Sequence, residues 1–324
     1  MTTPPTGMPE GPWVLVIGSH RSGTSALTGG IGALGLALPR DEDRLEWTES
    51  NPDHFESLGM LLFDERVLRS LGGTWQRPPV IPESWAESTA AQDFDAAAAA
   101  AASMAFPASG PLVWKDPRAC LLLPYWRRLI DGPLAVVFVW RDPLAVARSL
   151  ATRNGFNLFH GVALWEHYNL AALHALKGMD VLATSYEVLV EHPHDVYRQI
   201  AAWLDSLEQL APWRGSWNVE RAMTTVDTDY RHQAGDPTWP YLESQRQLLE
   251  VLGRLDGAHR PFDPGPLPTA SPWASGLLDM AGRVTAERAL REVYNSSSWK
   301  VTKPLRYVTS KLNRRGKGTL RPSP

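Results

Sequence analysis

Val14-Leu15-Val16-Ile17-Gly18-Ser19-His20-Arg21-Ser22-Gly23-Thr24-Ser25 is the stretch that decides how this 324-residue chain folds. Four consecutive apolar residues bounded by glycine read as a strand buried on both faces, as in a parallel sheet. Ala26 to Leu34 follows as a helix, with small residues (Ala26, Gly29, Gly30, Gly32, Ala33) that allow close packing. A strand, a glycine-bounded loop and a helix start make an anion cradle. The loop's N–H groups converge, and the helix N-terminus adds partial positive charge. Thr24 and Ser25 fall at that helix start, where their hydroxyls reach the same anion.

Outward from this unit, strands and helices alternate. A polar stretch over 39–55 reads as a loop at the mouth of the site and leads through Asn51-Pro52-Asp53-His54-Phe55 to Glu56. A helix is expected next, its apolar stripe formed by Leu58, Leu61, Leu62 and Leu68. Residues 72–92, rich in Gly, Pro, Trp and Ser, read as a surface loop or acceptor-side insertion. Ala96 to Ala102 is expected as a helix, with Asp93 or Asp95 at its N-terminal end. Leu112 to Trp114 is a second strand, ending in Lys115-Asp116-Pro117-Arg118, and Leu121 to Ile130 a helix. Leu134 to Trp140 is an apolar strand followed at once by Arg141-Asp142-Pro143 and a helix bearing Arg148, Ser149 and Arg153. Val162 to Leu176 reads as a helix, Val181 to Thr184 as a strand, and Tyr186 leads into a helix through Leu204. This alternation predicts an α/β, three-layer fold of the P-loop type, a central parallel sheet flanked by helices. Ligands of such sheets sit at the carboxyl ends of the strands, and each charged cluster named here follows a strand end.

Composition sets bounds. With 44% hydrophobic and 21% charged residues the chain has the make-up of a soluble globular protein. It reads as a flexible N-terminal tail (1–12), a main domain (13–258), a linker with five prolines (259–273) and a C-terminal helix with a basic tail (274–324). The one cysteine, Cys120, permits no intrachain disulfide. Without a signal peptide or membrane-length apolar run, the expected location is the cytoplasm. From Trp299 to Pro324 there are eight Lys and Arg and no acidic residue; subtracting that +8 from the net −3 leaves −11 for the rest. An acidic body excludes a nucleic-acid-binding domain by charge. The tail either touches an anionic membrane surface or is simply solvated. The fourteen tryptophans serve sugar faces or cores, two uses that composition does not separate.

Gly18 to Gly23 has the spacing of a nucleotide-triphosphate P-loop, yet Thr24 stands where that motif needs lysine, and the cation lies inside the loop as Arg21. Arg21-Ser22-Gly23-Thr24-Ser25 after an apolar strand resembles instead the 5′-phosphosulfate loop of sulfotransferases that use 3′-phosphoadenosine 5′-phosphosulfate. The alternative is a plain glycine turn. A second segment, Val137-Phe138-Val139-Trp140-Arg141 with Ser149 eight residues on, resembles that family's 3′-phosphate segment. An arginine fork and a hydroxyl grip a phosphate dianion together. Arg153 matches a further arginine of the tyrosylprotein branch, although solvated basic residues would leave the same trace. Tyr186-Glu187-Val188-Leu189 resembles the segment whose tyrosine lies near the nucleotide. Lys115-Asp116-Pro117 is similar to the segment whose lysine stabilises the transferring group. The resemblance spans roughly residues 13–205 and implies donor contacts at Ser19, His20, Arg21, Ser22, Gly23, Thr24, Ser25, Arg141, Ser149, Arg153 and Tyr186.

The chain departs from the aryl and steroid branch, which carries lysine in the first loop and a catalytic histidine in a setting absent here. The carbohydrate and tyrosylprotein branches use a downstream glutamate as base, which points to Glu56, with His54 as runner-up. Arg21 and Lys115 are the groups that would neutralise charge developing in the transition state. No metal-ligand cluster is visible in the sequence, and none is required if these cations supply the charge. Ser296 to Arg306 resembles a short element that ends many bacterial enzymes of surface-polysaccharide assembly, with Lys300 in place of its arginine. These resemblances together imply transfer of a sulfuryl group to a carbohydrate-type hydroxyl on a glycan or glycolipid. The rivals are a nucleotide-dependent kinase, for which Asp116 is the carboxylate to watch, and a non-catalytic glycan-binding scaffold.

Overall fold

The computed structural model describes residues 7–45, 55–130, 132–225 and 238–280. Its elements run β1 (Trp13–Ile17), α1 (Thr24–Leu34), α2 (Leu58–Ser70), α3 (Thr89–Gln92), α4 (Asp95–Ala105), β2 (Leu112–Lys115), α5 (Ala119–Leu129), β3 (Leu134–Trp140), α6 (Pro143–Asn154), α7 (Leu158–Leu176), β4 (Val181–Ser185), α8 (Tyr186–Glu191), α9 (Pro193–Ser206), α10 (Val219–Met223), α11 (Glu243–Leu252) and β5 (Gly257–His259). The sheet order is β2-β1-β3-β4-β5. The first four strands pair parallel, with Val16 opposite Lys115 on one side and Val137 on the other. β5 adds an antiparallel edge against β4 to the expected central parallel sheet.

The three layers follow from alternation along these strands. Trp13, Leu15, Ile17, Trp114, Val136 and Phe138 face a core built with α2, α4, α5 and α7. Val14, Val16, Val113, Val137, Val139 and Leu182 face the opposite core, with Leu27 and Ile31 of α1 and Tyr197, Ile200 and Trp203 of α9. The chain leaves β1 for β2 on one side and then crosses to β3 on the other. The crevice between the carboxyl ends of β1 and β3 is therefore the topological switch point, where ligands of this architecture bind.

Several expectations change. In α2 the buried face is Met60, Phe63, Asp64, Val67 and Leu68, while Leu58 and Leu62 are 40% and 58% exposed. Asp64 interrupts the apolar pattern and hides the true face. It is buried because the Trp126 indole N–H donates to it at 3.0 Å, and burial together with nearby Asp116 pushes its carboxyl well above the usual range. Residues 72–92 are not a simple surface loop, since Trp85, Ala86 and Ala91 enter the core and Trp75 packs against it. The helix expected from Tyr186 through Leu204 is broken at His192, where Pro193 starts α9. At the N-terminal edge, the Glu10 N–H donates to the Ala108 carbonyl at 2.7 Å.

The contacts divide the chain into Met1–Leu278 and Asp279–Pro324. Within the first unit, Phe262 is buried, and the buried Glu166 of α7 accepts from the Ser244 hydroxyl, the Gln245 amide and the Ser271 N–H, each at 2.8 Å. Three donors offset the cost of burying that carboxylate and tie α11 and Ser271 to α7. His54, the C-terminal element at 296–306 and the basic tail all lie outside the described residues.

Candidate functional site

β1 delivers the loop and α1 receives it. α1 starts at Thr24, after Gly23 at φ 88°, and no side chain caps its first turn, which leaves those N–H groups directed at the crevice. Gly23 is required twice over: its backbone is left-handed, and a Cβ there would stand 2.1 Å from the Tyr186 ring. The Ser19 and Ser22 hydroxyls bond each other at 2.6 Å, and the Ser22 N–H donates to the Ser19 carbonyl at 3.1 Å, so the loop is tied within itself. Arg21 also holds left-handed backbone, at φ 68°.

Three cations gather on this loop. The Arg21 Nε donates to the Ser149 Oγ at 2.8 Å, and Arg141 Nη1 donates to the Arg21 carbonyl at 3.3 Å. Burial, then Arg153, then Arg141 lower the Arg21 guanidinium to about 10, so it remains charged at neutral pH while repelling its neighbours. Arg141 lies with its guanidinium carbon 4.3 Å from the centroid of Tyr186, and its carbonyl accepts from the Trp165 indole at 2.9 Å. α6 places Ser149 because Asp142 caps it through the Ala145 N–H at 2.8 Å, with Pro143 in the first turn. The resemblance assigned Arg21 and Ser149 to opposite ends of a donor. Here the two side chains bond each other directly.

On the other side, Lys115 at the end of β2 donates to the Glu56 Oε1 at 2.5 Å and to the Ser25 Oγ at 3.0 Å. Burial pulls the Lys115 ammonium below its usual range, and Glu56 opposes that. Asp116 and Arg118 turn the other way. The Asp116 carboxylate accepts from the Arg118 N–H at 2.7 Å, and Arg118 reaches Glu65 at 2.7 Å. Asp116 is 1% exposed, and its Oδ1 is engaged with Arg118 while its Oδ2 has no hydrogen-bond partner.

Of the expected loop residues, His20 goes elsewhere. Its ring lies 4.3 Å from Trp75 and 5.2 Å from Tyr168, and burial, reinforced by Arg118 and Lys115, holds it well below the usual imidazole range. It stays neutral. Trp75, Tyr168 and His160 were not singled out in the sequence. The Tyr168 hydroxyl donates to the Trp75 carbonyl at 2.9 Å, and His160 Nε2 meets the Gln76 carbonyl at 3.1 Å. α7 thereby pins the 74–77 turn against the loop. The tryptophans of 72–92 were the available signal, but nothing in their spacing names His20 as a partner.

No protein-family model matches the chain, and no curated protein matches it. Among solved structures the chain is similar to the sulfotransferase domain from the curacin biosynthetic pathway, at 17% identity over 85% of this chain and 98% of that one, with a TM-score of 0.38. It is also similar to the sulfotransferase domain from the Synechococcus PCC 7002 olefin synthase, at 18% identity over 87% and 98%, with a TM-score of 0.38.

Proposed function

We propose that this chain moves a sulfuryl group from 3′-phosphoadenosine 5′-phosphosulfate to a hydroxyl of a carbohydrate-type acceptor, a glycan or glycolipid. The observation that carries this reading is the contact of Arg21 with Ser149 beneath Arg141, which gathers cations and a hydroxyl at the switch point beside an uncapped helix start. Mutually repelling guanidiniums in a crevice call for anionic ligands, and a bisphosphate donor supplies two. Arg141, Ser149 and Arg153 take the 3′-phosphate; the loop from Ser19 to Ser25 takes the 5′-phosphosulfate; Tyr186 lies against both.

Lys115 stands between the loop hydroxyl of Ser25 and the Glu56 carboxylate. In the reaction the acceptor oxygen forms a bond to sulfur as the bond from sulfur to the bridging oxygen breaks. Glu56 takes the acceptor's proton, and Lys115 and Arg21 neutralise the charge left on the phosphate oxygen. The aromatic residues Trp75 and Phe156, 5.8 Å apart beside the loop, offer neutral faces on the acceptor side. Among the described residues no helix is long and apolar enough to cross a membrane. The tail from Trp299 is proposed to hold the enzyme at an anionic leaflet, so truncation before Trp299 abolishes salt-sensitive binding to anionic vesicles and leaves donor binding intact; undiminished vesicle binding refutes that role.

The test is titration with adenosine 3′,5′-bisphosphate in chelator, alongside transfer of labelled sulfate from the donor to cell-envelope glycans. Binding without metal and transfer that falls about 10²–10⁴-fold in Glu56→Gln support the reading. Absence of bisphosphate binding, or equal transfer by Glu56→Gln, overturns it.

A further inference from the structure

Among the described residues two that are not glycine hold left-handed backbone, Arg21 and Phe55. Arg21 turns the loop. Phe55 sits at φ 49°, and an aromatic residue there carries strain that its surroundings must impose. Those surroundings are specific. The Phe55 ring lies over α1 at Gly29, where an added Cβ would stand 2.8 Å from the ring edge. The Arg44 guanidinium carbon lies 5.9 Å from the same ring centroid, and Arg44 is itself held by the Pro39 carbonyl at 2.8 Å and by Asp41 at 2.9 Å.

The backbone beyond Phe55 is equally constrained. The Glu56 carbonyl accepts from the Leu45 N–H at 3.0 Å. Ser57 caps α2 through the Met60 N–H at 3.0 Å while its hydroxyl donates to Asp43, and Asp43 also accepts from the Gly59 N–H at 3.1 Å. Glu56 is thus held between a ring seated on α1 and a capped helix start, and its carboxylate meets Lys115.

We propose that Phe55 is a positioning residue for Glu56: its ring, seated at Gly29, together with its left-handed backbone, directs the Glu56 carboxylate onto Lys115. α1 then governs both halves of the site, since the helix that begins at the anion loop also carries the seat for the base. The catalytic meaning rests on the sulfuryl-transfer reading, but the geometric claim does not.

The experiment measures acylation of Lys115 by acetic anhydride in the full chain, read by peptide mass spectrometry, with exposed Lys177 as internal control. Only a neutral amine that the reagent reaches reacts, so burial and the Glu56 contact together protect Lys115, whose side chain is 2% accessible. Glu56→Gln sets the unprotected rate. Gly29→Ala, which drives a methyl into the ring, and Phe55→Ala, which removes it, are expected to speed Lys115 labelling by about fivefold or more, with Lys177 unchanged. Phe55→Leu placed in the Gly29→Ala background makes room for the methyl and restores slow labelling. That suppressor pair keeps the test decisive should a single variant fold poorly. Rates within twofold of the parent in both single variants, or no rescue by Phe55→Leu, overturn the proposal. A parent chain that transfers no sulfuryl group defeats the proposed function instead, and leaves the labelling result to decide this one.

Discussion

Replacing Lys115 with methionine removes a buried cation and leaves its carboxylate behind. The pair is close, at 2.5 Å, and the two side chains are only 2% and 12% accessible. Breaking a buried pair from one side costs about 3–5 kcal/mol, because the remaining charge is left desolvated. The lower end applies here: Glu56 keeps slight solvent access, and Arg118 and Arg21 still act on it electrostatically. A loss of about 3 kcal/mol lowers the urea midpoint by about 1 M if the slope is near 3 kcal/mol/M. Adding Glu56→Gln removes the stranded charge, and the double variant returns to within about 1 kcal/mol of the parent. Urea unfolding of the four proteins at pH 7.5 completes the cycle. A Lys115→Met protein as stable as the parent at pH 7.5, with no gain from the second change, refutes the claim that these two charges form one buried pair.

Arg141→Ala is expected to weaken adenosine 3′,5′-bisphosphate by about 2–5 kcal/mol while adenosine 5′-phosphate loses far less, measured by calorimetry; equal losses contradict the 3′-phosphate assignment. Gly23→Ala forces a left-handed alanine and meets Tyr186, so it costs about 1–3 kcal/mol in thermal unfolding and loosens bisphosphate binding, whereas a neutral outcome contradicts the described loop. Burial lowers the His167 imidazole to about 4. The unfolded chain takes up that proton below pH 6.5 and the folded chain does not, so stability is complete above 6.5 and falls between 6.5 and 4, by at most about 3 kcal/mol for this group. His167→Gln should flatten that part of the pH–stability curve, and an unchanged slope would show that His167 titrates freely in the fold.

What the sequence determined by itself was whatever a short window encodes. A buried parallel strand must be apolar and end where glycine or charge begins, so β1, the loop and the bounds of β3 at Leu134 and Trp140 were legible. Arg141-Asp142-Pro143 likewise closed β3 ahead of the next helix, because charge and proline end an apolar strand locally. Alternation of such windows was enough to order the layers and to place the charged clusters at strand ends.

The tertiary structure decided who meets whom. Arg21 and Ser149 are 128 residues apart and Glu56 and Lys115 are 59 apart, and neither separation carries a period that a window can read. In α2 the leucines had nearly helical spacing, yet the buried face ran through Met60, Phe63, Asp64 and Val67, where the Trp126 indole N–H donates to one oxygen of the buried aspartate. Asp116 followed a strand, as a metal carboxylate would, and was turned inward by Arg118. The three-residue β5 was too short to show a pattern and exists through its pairing with β4. The left-handed backbone of Phe55 belongs to the same class, since an aromatic residue avoids that conformation unless packing at Gly29 and the corner before α2 hold it there. Local propensity sets which elements form; the partners of buried charges and strained residues are set by packing between elements distant in sequence.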